Sequence, residues 1–107
     1  MEYFTREGIP CPYEVWSEML SDHNYREIQS DELPNGTKVE TCWLGVDGRS
    51  FYLRPRRIER HLIFYTVVIF PKSGHGKREN RYFRYATERE ARAGHLAAVR
   101  KYRSGVK

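Results

Sequence analysis

Residues 84–103, Arg-Tyr-Ala-Thr-Glu-Arg-Glu-Ala-Arg-Ala-Gly-His-Leu-Ala-Ala-Val-Arg-Lys-Tyr-Arg, constrain this chain more than any other stretch. Thr87 followed three residues later by Glu90 has the spacing of a capping box, in which a hydroxyl and a carboxylate each satisfy an orphan N–H at a helix start. Glu88 and Glu90 then fall in the first turn, and Arg100, Lys101 and Arg103 in the last, so both ends complement the helix dipole. Gly105 supplies a stop. Ala91, Gly94, His95, Ala98, Val99 and Tyr102 recur at spacings of three and four and form one stripe. Small residues dominate the first half of that stripe, so the helix can bury it by lying close against a sheet. Arg89, Arg92, Arg100 and Arg103 lie off the stripe and face water or a partner.

The rest of the chain supplies that sheet. Leu62–Phe70 is rich in β-branched and aromatic residues and apolar on both faces, which predicts a central strand. Lys38–Val46 alternates, with Val39, Thr41 and Trp43 on one face and Glu40, Cys42 and Leu44 on the other. Asn35-Gly36 before it is a hairpin turn signal, because both residues tolerate positive φ. Residues 25–29 read as a short strand on the far side of that turn. Asp47-Gly48 is a second turn signal, after which Phe51–Leu53 reads as a short return strand or part of an irregular loop. Pro55 confines any strand there to an edge. Pro71–Asn80 is a polar, glycine-containing loop, and Tyr82–Tyr85 pairs back as the last strand. Near the start, Val15, Trp16, Met19 and Leu20 have helical spacing behind Pro12, which predicts a short helix over 12–21 with one apolar face.

At 107 residues the chain is expected to be one domain, 1–107, long enough to bury roughly two thirds of its unfolded surface. It needs no metal or disulfide to fold. Its two cysteines, Cys11 and Cys42, belong to no C-x-x-C and are expected as reduced thiols in a cytoplasmic protein. The start, Met-Glu-Tyr-Phe-Thr-Arg-Glu, is charged at once and has no apolar core, so no secretory signal is expected. The longest apolar run has the length of a strand, about half that of a membrane-spanning helix.

No catalytic set assembles in the sequence. His23, His61, His75 and His95 form neither H-E-x-x-H nor H-x-x-x-H, and Asp22, His23 and Asp47 suggest no ligand spacing, so no metal or other cofactor is expected. His95 is expected at the sheet boundary, hydrogen-bonded through one nitrogen. Ser73-Gly74-His75-Gly76 sets a lone serine and histidine between glycines, where a nucleophile would lack a positioned base. Gly74-His75-Gly76-Lys77 lacks the spacing of a phosphate loop and opens no helix. The chain is therefore expected not to be an enzyme.

What remains is charge. A net +5 and a pI near 9.4 favour acidic partners. The basic residues form three clusters. Arg54, Arg56, Arg57 and Arg60 lie beside Phe51 and Tyr52. Lys72, Lys77, Arg78 and Arg81 lie beside Tyr82 and Phe83, and Arg92, Arg100 and Arg103 lie on the outer face of the last helix. Arginine interleaved with aromatic rings is what single-stranded nucleic acid uses, charge for phosphates and rings for bases. The competing expectation is solvated surface, with the strand aromatics in the core.

The strings Val-Glu-Thr-Cys-Trp-Leu-Gly-Val-Asp, Phe-Tyr-Thr-Val-Val-Ile-Phe and Arg-Tyr-Ala-Thr-Glu-Arg-Glu-Ala-Arg-Ala-Gly-His, with Leu-Pro-Asn-Gly upstream, resemble a pattern in small uncharacterised proteins of bacteriophages and prophages. The matching positions are Val39, Thr41, Trp43, Leu44, Gly45, Asp47, Phe64, Thr66, Tyr85 after Arg81 or Arg84, Thr87, Ala91, Gly94 and His95. The match covers roughly residues 25–99. It departs in the basic insertion 49–61 and at Tyr65, where the pattern often has an acidic residue. The resemblance implies a phage or prophage origin and a sheet-plus-helix fold, and brings no activity with it.

The expectation is an α+β domain, with an antiparallel sheet of three to five strands, a C-terminal helix packed on one face and a short N-terminal helix. Asn35, Gly36, Thr87, Glu90 and Gly94 are its structural residues. The expected function is a non-enzymatic accessory protein in the cytoplasm of a bacterial host, binding and modulating a host or phage protein and no membrane. The alternative is a nucleic-acid binder using the basic and aromatic clusters.

Overall fold

Thr41 and Thr66 stand directly opposite each other in the middle of the sheet, and the register runs outward from them. The computed structural model describes residues 2–47, 60–72 and 79–103. In chain order the elements are β1 (Tyr3–Phe4), β2 (Pro10–Cys11), α1 (Tyr13–Ser21), α2 (His23–Arg26), β3 (Glu27–Glu32), β4 (Lys38–Trp43), β5 (Phe64–Ile69), β6 (Arg81–Tyr85) and α3 (Glu88–Arg103). The main sheet has the order β3-β4-β5-β6 with every neighbour antiparallel, and β1 and β2 form a separate two-stranded ribbon. The architecture is α+β, with α3 packed across one face of the sheet.

Alternation decides that face. Val39, Thr41 and Trp43 of β4 are buried, as are their partners Val68, Thr66 and Phe64 of β5. The stripe on α3 meets them: Ala91, His95, Ala98, Val99 and Tyr102 are all buried. Val39, Val68, Ala98, Val99, Tyr102 and Leu33 form one core cluster, and Trp43, Phe64, Ile63, Ala91 and Phe4 form the other. The opposite face carries Glu40 beside Val67 and Tyr82, and Cys42 beside Tyr65 and Arg84.

The predicted capping box forms. The Thr87 hydroxyl accepts from the Glu90 N–H at 3.2 Å, and the Glu90 carboxylate accepts from the Thr87 N–H at 3.3 Å. Both cysteines are free thiols. Burial pushes the half-buried Cys42 thiol up, and burial followed by the neighbouring Cys42 pushes the Tyr65 hydroxyl up to about 12.

Three local expectations change. Residues 23–26 form a helical turn before β3, because the Asp22 carboxylate accepts from the N–H groups of Asn24 and Tyr25 and caps it. In the hairpin turn only Gly36 has positive φ, at +87°. Leu33–Gly36 closes as a four-residue turn, with the Gly36 N–H donating to the Leu33 carbonyl at 2.9 Å. Asn35 is then free to cap locally, its Oδ1 accepting from the Thr37 N–H, while its Nδ2 donates to the Tyr102 carbonyl at the end of α3. In α1, Trp16, Met19 and Leu20 pack on the core, but Val15 is exposed, so the apolar face is narrower than its spacing implied. The Gly48 turn, Phe51–Leu53, Pro55, Ser73–Lys77 and Gly105 lie outside the described residues.

The close approach of α3 rests on Gly94. A Cβ there would overlap the Tyr85 ring and hydroxyl. Gly94→Leu is therefore expected to destabilise by about 1–3 kcal/mol through overpacking. Chemical denaturation checks it, and an unchanged midpoint would show that this part of the helix does not contact the sheet.

Candidate functional site

A line of polar groups crosses the core beneath α3. Thr41 and Thr66 bring their hydroxyls to 2.5 Å of each other. Thr41 Oγ1 also lies 2.7 Å from His95 Nδ1, and His95 Nε2 lies 2.7 Å from Asp31 Oδ2. At the other end, the Thr66 side chain neighbours the Tyr85 hydroxyl and favours its ionised form, against the larger effect of burial. Asp31 reaches His95 because it pairs with Val39 and so shares its face. Its ionised carboxylate only accepts, so His95 Nε2 donates to it. Thr41 Oγ1 stands between the His95 ring and the Thr66 hydroxyl and bonds to both. His95 is wholly buried and uses both ring nitrogens, where one was expected. The sequence could not show this, since its partners lie 54 and 64 residues away.

Beside this line a groove opens between β6 and α3. Phe83 and Tyr85 line it from the strand, and Gly94, Ala97, Ala98, Lys101 and Tyr102 line it from the helix. Its volume is about 140 Å³, close to the room one benzene ring occupies in a protein cavity. Gly94 lets the Tyr85 ring lie against the helix at the groove's base, the two alanines leave the space above it open, and burial pushes the Tyr85 hydroxyl up from its ordinary range. β6 is the last strand of the described sheet, so its outer backbone edge runs alongside the groove. Lys101 holds its Nζ 5.4 Å from the centre of the Tyr102 ring, with no carboxylate partner among the described residues. Sequence pattern alone missed this site. Its one signal was the run of small residues at 91, 93, 94, 97 and 98, which exceeds what a single buried stripe needs.

The predicted basic contacts that lie among the described residues are spread over separate elements. Arg60 pairs with Glu90 at 2.6 Å, and Arg92 pairs with Glu88 at 2.8 Å. Lys72, Arg81, Arg100 and Arg103 are exposed. Arg92 and Arg103 sit eleven positions apart on one helix, a separation of about 16 Å. Arg54, Arg56, Arg57, Lys77 and Arg78 lie outside the described residues. Among the described residues no group of three or more His, Cys, Asp or Glu is placed to hold a metal, and no helix is long and apolar enough to cross a membrane.

A second clamp ties the N-terminal ribbon to α3. Glu88 Oε1 accepts from Arg6 at 2.8 Å, and Oε2 accepts from Arg92 at 3.0 Å. Arg6 also donates to the Tyr25 carbonyl and lies over the Tyr25 ring. Burial raises the Glu88 carboxyl, but the bonds from Arg6 and Arg92 outweigh it and hold the group below its ordinary value.

Two outcomes follow from these clamps. His95→Leu leaves Asp31 and Thr41 without their shared partner and is expected to cost about 2–4 kcal/mol by denaturant unfolding. A loss below about 0.5 kcal/mol would show that the polar line adds nothing to stability. Glu88→Gln is expected to cost about 1 kcal/mol at neutral pH. A lowered carboxylate stabilises fully above its unfolded value of about 4.3 and loses that contribution as pH falls through the folded value. The gap between wild type and variant should therefore close on acidification through that range, measured as unfolding midpoints against pH.

No family model matches this chain, and neither a curated protein nor a solved structure is significantly similar to it, so its site is defined by its own geometry.

Proposed function

We propose that the protein is a non-enzymatic accessory factor, of bacteriophage or prophage type, that binds and modulates another protein in the bacterial cytoplasm. The observation that carries this is the apolar groove beside the outer edge of β6. Concave apolar surface with one convergent cation is what a binding site presents, and a strand edge left unpaired among the described residues offers backbone donors and acceptors to a partner. The residues shared with the phage pattern support it. Thr41, Thr66, Tyr85, Gly94 and His95 are the groups that seat α3 and shape the groove's base. His95 is fully buried and bonds Asp31 and Thr41 within the core, so it serves the seating of α3.

A nucleic-acid function draws on a different surface. Tyr82 is 56% exposed, and its ring centroid lies 6.5 Å from that of Tyr65 on the open face of the sheet. Arg84 shares that face, but so does Glu40, and Arg60 and Arg92 are already paired with carboxylates. The groove is therefore the stronger site.

Ala97→Glu separates the two. Ala97 is an exposed helix residue, so the fold is expected to survive within about 0.5 kcal/mol, while a carboxylate enters the groove. Affinity capture from a nuclease-treated bacterial lysate should recover a discrete protein with the wild type and lose it with the variant. Capture that disappears on nuclease treatment, with binding to DNA or RNA that falls steeply with salt, would replace protein binding with nucleic-acid binding.

A further inference from the structure

We infer that the groove and the β6 edge together take an extended peptide segment of the partner, added as a fifth strand, with one apolar side chain in the groove and acidic residues at its Lys101 end. This rests on the protein-binding function proposed above and specifies its partner. Three observations carry it.

The first is geometric. Among the described residues β6 pairs with β5 alone, from Phe64 opposite Tyr85 to Val68 opposite Arg81. Phe83 and Tyr85 point to the α3 side, as their partners Thr66 and Phe64 do. A strand laid along the outer edge would alternate its own side chains, one set towards α3 and one set away. The set on the α3 side meets the groove, which holds one group of about the size of a benzene ring. Strand addition combines these two elements: backbone bonds supply affinity, and a pocket for an alternate side chain supplies specificity.

The second is charge. α3 and β6 run in opposite senses, with Gly94 against Tyr85 and Tyr102 in the cluster of Val68, the residue that pairs with Arg81. Lys101 and Arg81 therefore lie towards the same end of the groove. Neither has a carboxylate partner among the described residues, in contrast to Arg6, Arg60 and Arg92. Two uncompensated cations at one end of an apolar site call for carboxylates on the occupant.

The third concerns which occupant. β6 begins with the exposed Arg81, and a charged residue on an edge strand opposes edge-to-edge pairing of two copies. An acidic segment from a different protein meets no such repulsion.

The test uses the full chain and synthetic peptides of about eight residues. One peptide alternates Thr and Val around a central Leu, with two Glu at one end. A second has Lys in place of Glu, and a third is the Glu peptide N-methylated at two successive central positions, so that one methyl group faces β6 in either register. Binding is followed by amide chemical shifts and by affinity. The Glu peptide should bind at least about tenfold more tightly than the Lys peptide and shift the amides of Phe83, Tyr85, Gly94 and Lys101. The N-methylated peptide should not bind, and the double variant Arg81→Glu, Lys101→Glu should reverse the charge preference. Equal affinity for both charges, binding that survives N-methylation, shifts confined to Tyr65 and Tyr82, or failure of every peptide would each overturn strand addition. So would a concentration-dependent dimer with protected β6 amides. If the peptides fail while lysate capture still depends on Ala97, strand addition falls and protein binding stands. If capture does not depend on Ala97, the groove itself is the wrong site.

Discussion

A histidine ring in the middle of a helix–sheet interface is costly unless both of its nitrogens are used. His95 meets that condition by spanning the sheet, taking Asp31 from the edge strand β3 and Thr41 from β4. Thr41 in turn holds Thr66 on β5, next to Tyr85 of β6. One line of hydrogen bonds therefore ties β3, β4 and β5 to the helix. Apolar packing alone would leave α3 several ways to slide along the sheet. The polar line permits one position, because a shift of a single residue would strand a buried donor or acceptor.

That position decides the surface as well as the core. With His95 fixed, Gly94 is pressed against Tyr85, and the helix cannot move nearer to β6. Ala97 and Lys101, one and two turns on, then overlook the edge of the sheet beside Phe83. The groove is the space left where small residues meet the outermost strand of the described sheet. Its existence follows from the same geometry that satisfies the histidine.

Charge is arranged in two ways on this molecule. At the start of α3, arginines are spent on structure: Arg6 and Arg92 clamp Glu88, and Arg60 pairs with Glu90, the capping-box carboxylate. The Arg60 bond, with burial opposing it, helps hold the Glu90 carboxyl below its ordinary value. At the other end of the groove, Lys101 and Arg81 have no such partners among the described residues. A net positive charge counted from the sequence does not distinguish these uses, because it counts a clamped arginine and a solvated one alike.

Local patterning determined much of the fold. The capping box, the stripe on α3, the alternation along β4 and the β-rich run of β5 each depend on residues within a few positions of one another, and each took the form that its spacing requires. Where a local signal had a competitor, it misled: Asp22 caps a helical turn where a strand was expected, and a β-turn places only Gly36 at positive φ. The tertiary structure alone decided what His95 bonds to, which arginines are spent and where the groove lies. Each of these depends on contacts between residues far apart in the chain, such as Asp31 with His95 or Arg6 with Glu88, and no periodicity encodes a distance across a sheet.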